Sequence, residues 1–346
     1  MIKAGIIGST GYAGMELVRL LMQHPETEIV WYGSRSYVGK PYEDIYRNFF
    51  RFVEADCLDD DLDTLADEAD VIFTATPQGF LAERMHEELL EKARVIDLSA
   101  DYRFKDAARY EAWYGMAHKT PQYLAEAVYG LPELYRERIR GARLVANPGC
   151  FPTCSILAIA PLIRAGLIDP DSVIIDAKSG TTGAGRGAKV QNLFCEVNET
   201  IKAYGVTVHR HTPEIEDQLS EAAGRPLLVQ FTPHLVPMNR GILVTAYADA
   251  AAGADAAAIR DALLGTYADE PFVRVLDEGV VPETRWVKGS NFADVGAMLD
   301  KRTGRVIMMG AIDNIGKGAA GQAVQNMNLL FGLPETTGLM SIPMPV

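Results

Sequence analysis

The sequence predicts an α/β chain in two parts, a parallel sheet flanked by helices and then a mixed α+β region. Three observations predict it. Short apolar runs alternate with helical patterns through the first half. A cluster of three glycines separates the first run from the first helix. After Cys150 the rhythm changes to strands with antiparallel connections. At 346 residues the chain is long for one domain, so two are expected.

Ile2 to Ile7 reads as the first strand, and Tyr12 to Gln23 as a helix with Leu17, Leu20 and Leu21 on one face. Glu28 to Tyr32 is the second strand, Asp70 to Thr74 the third and Arg94 to Leu98 the fourth, with a helix over Phe80 to Lys92 between the last two. Leu144 to Ala146 is a further short strand ending at Asn147-Pro148-Gly149. Beyond Cys150, Ser155 to Ala165 is helical, Val173 to Ala177 is a strand, and a glycine-rich loop runs from Ser179 to Gly187. Pro213 to Ala223 is a helix, followed by strands over Leu227–Leu235, Gly241–Ala248 and Phe272–Leu276 and an alanine-rich helix near Ala254–Tyr267. Phe292–Leu299 and Arg305–Ala311 form a hairpin around Asp300-Lys301-Arg302-Thr303-Gly304. The last helical segment, from Gly318 to Leu330, is expected to return to the first domain. The expected division is thus 1–149 with 318–346, and 150–317.

An apolar fraction of 48% and a charged fraction of 23% give an ordinary globular balance. The net charge of −13, from 33 basic and 46 acidic residues, argues against a nucleic-acid or membrane-surface binder. Any site for an anion must therefore build its own positive potential. Cys57, Cys150, Cys154 and Cys195 do not suggest a disulfide framework, and none has zinc-like spacing, so no metal is expected. The chain opens on MIKAGIIG without the basic and apolar regions of a secretory leader, and no apolar run approaches the length of a membrane span. A soluble, cytoplasmic protein is expected.

Gly8-Ser9-Thr10-Gly11-Tyr12-Ala13-Gly14 directly follows the first strand and opens the first helix. Positions without Cβ let a pyrophosphate approach N–H groups at the positive end of a helix. The spacing is G-x-x-G-x-x-G, where the commonest fingerprint is G-x-G-x-x-G, and a tight turn without ligand is the alternative reading. The expectation is a Rossmann-type dinucleotide-binding domain contacting its cofactor through Gly8, Ser9, Thr10, Gly11, Tyr12 and Gly14. An NAD site usually places Asp or Glu at the end of the second strand for the ribose 2′-hydroxyl. Here Gly33-Ser34-Arg35-Ser36 carries no carboxylate, and a guanidinium between two hydroxyls suits a 2′-phosphate. NADP(H) is therefore expected on Ser34, Arg35 and Ser36, with a solvated loop arginine as the alternative. Thr76 and Pro77 would lie along the same groove.

In Asn147-Pro148-Gly149-Cys150-Phe151-Pro152-Thr153 a strand stops and an apolar helix follows, which puts Cys150 at a helix N-terminus. The dipole and amides there favour the thiolate and can stabilise an oxyanion on a carbonyl it attacks. The alternative is a small core residue, the reading given to Cys154. A cysteine nucleophile needs a proton-transfer partner, and histidine fits best. His24, His86 and His118 are expected at the surface. His209-Arg210-His211 precedes a helix start at Pro213, and an extended segment would turn both imidazoles to one side. His211 is favoured as the acid/base and His209 as an orienting or substrate-contacting group, with His234 in reserve.

Ser179-Gly180-Thr181-Thr182-Gly183-Ala184-Gly185-Arg186-Gly187 offers amides, hydroxyls and an arginine to a phosphate or a substrate carboxylate. A mobile hairpin tip is the alternative. Ser179, Gly180 and Arg186 are candidate substrate contacts, together with Arg103, Asn147 and Arg240, while Gly183 is assigned to the cofactor.

GSTGYAG at 8–14, DLSADYR at 97–103, NPGCFPT at 147–153, SGTTGAGR at 179–186, HRHTPEI at 209–215 and DNIGKGAAGQAVQNMN at 313–328 occur in this order. The set resembles the semialdehyde-dehydrogenase superfamily over essentially the whole chain, specifically its members that reduce N-acetyl-γ-glutamyl phosphate. The resemblance implies attack of Cys150 on the acyl phosphate, loss of phosphate to leave a thioester, hydride from NADPH, and release of N-acetyl-glutamate 5-semialdehyde in arginine biosynthesis. It further implies that Asn314 orients the nicotinamide amide, and that the second domain builds a homodimer or homotetramer. Rivals in the same class would take aspartyl phosphate or a carrier-linked aminoadipyl phosphate. The HRH and 313–328 segments favour the acetylglutamyl substrate over the aspartyl one. A non-catalytic NADP-binding sensor would carry an unreactive cysteine, and a cysteine hydrolase would not need the glycine-rich first domain.

Overall fold

Strands β1 (Ile2–Ile7), β2 (Thr27–Tyr32), β3 (Val71–Thr74), β4 (Arg94–Asp97), β5 (Val128–Tyr129) and β6 (Leu144–Ala146) form one sheet in the order β2-β1-β3-β4-β6-β5. Every pairing in it is parallel. Connecting helices are α1 (Tyr12–Met22), α2 (Tyr42–Ile45), α3 (Leu62–Glu68), α4 (Glu87–Lys92), α5 (Ala107–Tyr114) and α6 (Pro132–Arg140). All four residues of β3 are buried, as expected of a parallel strand covered on both faces. Leu17, Val18, Leu20 and Leu21 form the buried stripe of α1. Asp61 starts α3 by accepting the N–H groups of Asp63 and Thr64. The strand order reverses direction between β1 and β3, the place where open α/β sheets bind ligands.

The second sheet has seven strands in the order β11-β12-β13-β10-β7-β9-β8. They are β7 (Ile174–Ser179), β8 (Lys202–Ala203), β9 (Gln230–Leu235), β10 (Ile242–Asp249), β11 (Val273–Val275), β12 (Ala293–Asp300) and β13 (Arg305–Ile312). The helices here are α7 (Cys150–Arg164), α8 (Phe194–Val197), α9 (Thr212–Ala223) and α10 (Ala256–Tyr267). Along β10 burial alternates residue by residue, so one face of the sheet is core and the other half-exposed. The buried helix α7 packs on β10, β12 and β13 and against α9 and α10.

This computed structural model describes residues 1–345, in two units: Met1–Pro148 with Ala319–Met340, and Gly149–Gly318 with the tail from Ser341. In the last segment, helix α11 (Gly321–Leu330) follows a π-type turn over Gly316–Ala320. The helix is thus shorter than the returning segment expected, and the tail from Ser341 groups with the second unit, where the Met344 N–H donates to Lys288 O at 2.9 Å.

The helix read over Phe80–Lys92 is broken, because His86 is extended (φ −150°, ψ 165°) and only Glu87–Lys92 is regular. The turn before it is held by Asp101, whose carboxylate accepts the N–H groups of Gly79 at 2.6 Å and Ala82 at 3.1 Å. His24 and His118 are not at the surface. His24 is buried with Nε2 2.9 Å from Asn328 Oδ1, and His118 is buried against Tyr102 and Tyr110 with Nε2 2.7 Å from Asp101 O.

Candidate active site

Cys150 is the first residue of α7, preceded by extended Gly149 (φ −68°, ψ 153°), and no side chain caps this end of the helix. Pro152 has no N–H, so the Cys150 and Phe151 amides stand at the positive end of the dipole. The Gly149 N–H donates to Glu214 Oε1 at 2.8 Å. Glu214 is 1% exposed and lies in the first turn of α9, so a buried carboxylate anchors the backbone immediately before the thiol. Gly318 closes the other side: a Cβ there would come 2.8 Å from the Cys150 Cβ. Its N–H donates to Asp313 O at 2.9 Å within the π-type turn.

Cys150 is half-buried, Cys57 and Cys154 are buried, and Cys195 is exposed. Burial pushes the Cys154 thiol well up, with the adjacent Cys150 adding to the shift, and raises Cys57 to about 11. Both are therefore poor thiolates.

His209 and His211 meet, but not through an extended segment. His211 has helical dihedrals (φ −81°, ψ −14°) at the start of α9, and a turn from Gly205 brings the imidazoles to 4.9 Å between centroids. Both rings touch Phe151, the neighbour of the nucleophile, at 5.7 Å for His209 and 5.9 Å for His211. The His211 N–H donates to His209 Nδ1 at 3.1 Å, which leaves the His209 proton on Nε2. Tyr204 and Phe231 complete the enclosure of His209. Burial, with help from the Arg210 charge, lowers its pKa to about 4. His234 instead pairs with Asp176 at 3.1 Å on the half-exposed face of the sheet.

The glycine-rich loop departs from the anion cradle expected of it. The N–H groups of Gly180, Thr181 and Thr182 donate to Gly241, Met238 and Asn239, and those of Gly183 and Gly185 close turns within the loop. The Ser179 hydroxyl bonds Gly180 O at 3.0 Å, and Arg186 projects from the exposed part of the loop. Gly183 faces Ser179 and Asn314: a Cβ there would lie 3.1 Å from Ser179 Oγ and 3.4 Å from Asn314 Nδ2. Asn314 holds the loop, accepting the Gly241 N–H at 2.7 Å and donating to Thr182 Oγ1 at 2.9 Å. Arg240 is likewise taken by the protein, with Nε 2.7 Å from Oδ2 of fully buried Asp313. Asp313 also accepts from Gly289, Ile315 and Gly316.

In the first unit, Asn147 is fully buried. It donates to Ala319 O at 3.1 Å and accepts from Asn326 Nδ2 at 3.1 Å, so it supports the backbone instead of facing a substrate. Arg103 is anchored by Nε to Asn147 O and Nη2 to Leu98 O, both at 2.8 Å. At the end of β1, Gly8 (φ +77°) turns the chain where a Cβ would lie 2.4 Å from Ala75 O, and Gly14 packs against Gly8. Ser9 and Ser34 are buried, contrary to a direct ligand role for their hydroxyls: Ser9 Oγ donates to Gly33 O, and Ser34 Oγ meets Thr10 Oγ1 at 2.8 Å. These bonds sew the end of β1 to the end of β2.

The remaining groups fit a dinucleotide. Helix α1 starts at Gly11–Tyr12 with no capping side chain and no acid in its first turn. Thr76 Oγ1 beside Gly8 is buried with no hydrogen-bond partner. Pro77, Ser36 and Arg35 are exposed along the same sheet end, and Tyr12 is half-exposed.

Sequence reasoning missed Glu214 and Gly318 as supports of the nucleophile. Glu214 was visible only as part of the HRHTPEI string, and its partner lies 65 residues away. For Gly318 the signal was a glycine in a DNIGKG run.

Comparison with known proteins follows this division. Residues 3–142 match the family described as semialdehyde dehydrogenase, NAD binding domain, and residues 150–314 match semialdehyde dehydrogenase, dimerisation domain. The chain is 62% identical over 344 residues to the N-acetyl-gamma-glutamyl-phosphate reductase of Lachnoclostridium phytofermentans, covering 99% of each sequence. It is also 62% identical over 346 residues to the protein of that name from Lachnospira eligens, again covering 99% of each. Among solved structures, aspartate semialdehyde dehydrogenase II from Vibrio cholerae, complexed with ASA, aligns with a TM-score of 0.71 at 16% identity, covering 96% of this chain and 98% of that one. At that identity the likeness is one of fold. Among the described residues, no helix is long and apolar enough to cross a membrane.

Proposed function

Because the chain belongs to the N-acetyl-γ-glutamyl-phosphate reductase family of semialdehyde dehydrogenases, we propose that it reduces N-acetyl-γ-glutamyl phosphate to N-acetyl-glutamate 5-semialdehyde and phosphate through a thioester on Cys150. The observation that carries this reading is the setting of Cys150, at an uncapped helix N-terminus with two contacting histidines beside Phe151.

The Cys150 thiolate attacks the γ-carbonyl carbon. The new C–S bond displaces phosphate with its electron pair, while the amides at the start of α7 stabilise the oxyanion. When bound, the reduced nicotinamide dinucleotide supplies a hydride. The thiohemiacetal on Sγ then loses a proton and expels the thiolate, which frees the aldehyde. His211 handles these protons and His209 orients it: a buried ring with a pKa of about 4 and Nδ1 already accepting the His211 N–H is a poor acid near neutral pH. Arg103 and Arg186 are the proposed anion contacts, and Arg240 is structural.

NADP(H) is the proposed cofactor, supported by the exposed Arg35 guanidinium just after β2, with exposed Ser36 beside it. A homodimer is proposed through the second unit, whose sheet has a half-exposed face carrying Ile174. Val190, Leu193, Phe194, Ile201, Val206 and Val208 are exposed in one segment and offer the further apolar surface that a homotetramer would need. Thiols without disulfides suit the cytoplasm, where this reading places the enzyme.

The test is the reverse reaction with N-acetyl-glutamate semialdehyde, NADP and phosphate, followed by NADPH absorbance beside an aspartate-semialdehyde control. Phosphate-dependent NADPH formation with the acetylated substrate is expected. Turnover of the aspartyl compound alone would overturn the substrate assignment and leave the mechanism standing.

A further inference from the structure

We propose that Asp60 positions Arg35 for the 2′-phosphate of the cofactor and that Arg84 brings a second guanidinium to the same group. This rests on the NADP reading above and deepens it.

Where a dinucleotide-binding domain usually carries its ribose-binding acid, β2 is followed by Gly33. The space of the missing side chain is filled from elsewhere: a Cβ on Gly33 would lie 3.1 Å from Asp60 Oδ1. Asp60 arrives on a segment held to the end of β2 by the Gly33–Leu58 bridge and by the Trp31 indole, which donates to Asp59 O at 2.9 Å. Its side chain is 6% exposed, and Oδ2 lies 3.3 Å from Arg35 Nε. Oδ1 is buried and accepts no hydrogen bond. The other oxygen, Oδ2, is turned to Arg35, so this carboxylate is placed to act on a cofactor through that guanidinium.

Arg35 is 59% exposed. Its guanidinium lies 5.4 Å from the centroid of the Phe80 ring, and that of Arg84 lies 4.2 Å from the same centroid. Arg84 is steadied by Nη1 donating to Phe80 O at 3.1 Å. A guanidinium has separate donor edges, so Arg35 can hold a carboxylate with its Nε edge and offer the outer edge to a phosphate. The acids facing the cluster are Asp60, the adjoining Asp59, and Glu83, which pairs with Arg84 at 3.4 Å in an exposed and therefore weak contact. Burial raises the Asp60 pKa, while the charges of Arg35 and Arg84 pull it back. Two guanidiniums over one aromatic ring, one of them tethered by Asp60, supply the positive charge that a phosphate dianion needs.

The test titrates NADPH and NADH into the full chain by ligand fluorescence, with adenosine 2′,5′-bisphosphate as a competing probe, for wild type, Asp60→Asn, Asp60→Ala and Arg84→Ala. Asp60→Asn keeps the shape of the side chain and removes its charge, so it reads the interaction even if Asp60→Ala fails to fold. Each variant is expected to weaken NADPH and the bisphosphate about tenfold, as loss of a charge-assisted contact does, and to leave NADH essentially unchanged. Equal losses for both dinucleotides would mean a merely structural role and overturn the proposal, as would tighter NADPH binding to Asp60→Asn. Wild type binding NADH as tightly as NADPH would overturn the NADP reading itself.

Discussion

A Cβ on Gly318 would stand 2.8 Å from the Cβ of Cys150, closer than such atoms pack, so the nucleophile holds its place only because residue 318 has no side chain. Gly318→Ala must push either α7 or the π-type turn aside. A displacement of about 1 Å at a reacting atom costs on the order of a hundredfold in rate. We expect kcat to fall by about that factor while NADPH affinity is retained. Steady-state kinetics with a binding titration check this, and an unchanged kcat would contradict the contact.

Glu214 ties α9 to the residue before the nucleophile, through Oε1 accepting the Gly149 N–H at 2.8 Å. Glu214→Gln keeps an oxygen acceptor and should retain most activity. Glu214→Ala leaves the Gly149 amide buried without it, a loss of about 1–3 kcal/mol. Urea unfolding checks the stability, and the rate of Cys150 alkylation checks the nucleophile. Both should fall in the alanine variant and largely recover in the glutamine variant.

The His209 ring should stay neutral through most of the acid range. Its folded pKa of about 4 lies below the usual 6.5, so between these values the unfolded state binds more protons. Its contribution is complete above about pH 6.5 and disappears as the pH falls towards 4, amounting to roughly 3 kcal/mol at most. Asp97 works in the opposite sense. Burial, helped by the Asp101 charge, raises its pKa, so the stability it contributes is lost as the pH rises. A global stability curve mixes the two, and the direct check is an NMR titration of the imidazole. A midpoint near 4 is expected, and one near 6.5 would contradict the enclosure by Phe151, Tyr204 and Phe231.

Arg240 should matter for stability more than for substrate. It is 15% exposed and faces Asp313, which is fully buried. Arg240→Ala strands that carboxylate at a cost of about 3–5 kcal/mol, the range for breaking one side of a buried pair. Thermal or urea unfolding measures this. A raised KM with unchanged stability would return Arg240 to the substrate.

The sequence signals that succeeded were local. Apolar alternation and the turn residues Asp300–Gly304 located β12 and β13, which pair in antiparallel register from Ala293↔Ile312 to Asp300↔Arg305. Asn147-Pro148-Gly149 located the end of β6 and the start of α7 at Cys150. The signals that failed depended on partners distant in sequence. The glycines at 180–185 looked like free donors, and only the fold shows their amides turned to residues 238–241 and to one another. Arg240 looked like an anion contact until Asp313 appeared opposite it. His24 and His118 have ordinary neighbours in the chain, and their burial comes from Asn328 and Asp101. Asp60 has no motif and acquires meaning only beside Gly33.

Covalent chemistry at Cys150 is read most directly by intact-protein mass spectrometry after mixing with N-acetyl-γ-glutamyl phosphate in the absence of any nicotinamide dinucleotide. The expected result is one N-acetyl-glutamyl adduct per chain with matching release of phosphate, and neither in Cys150→Ala. An adduct that persists in Cys150→Ala, or turnover by that variant at the wild-type rate, would contradict the assignment of the nucleophile.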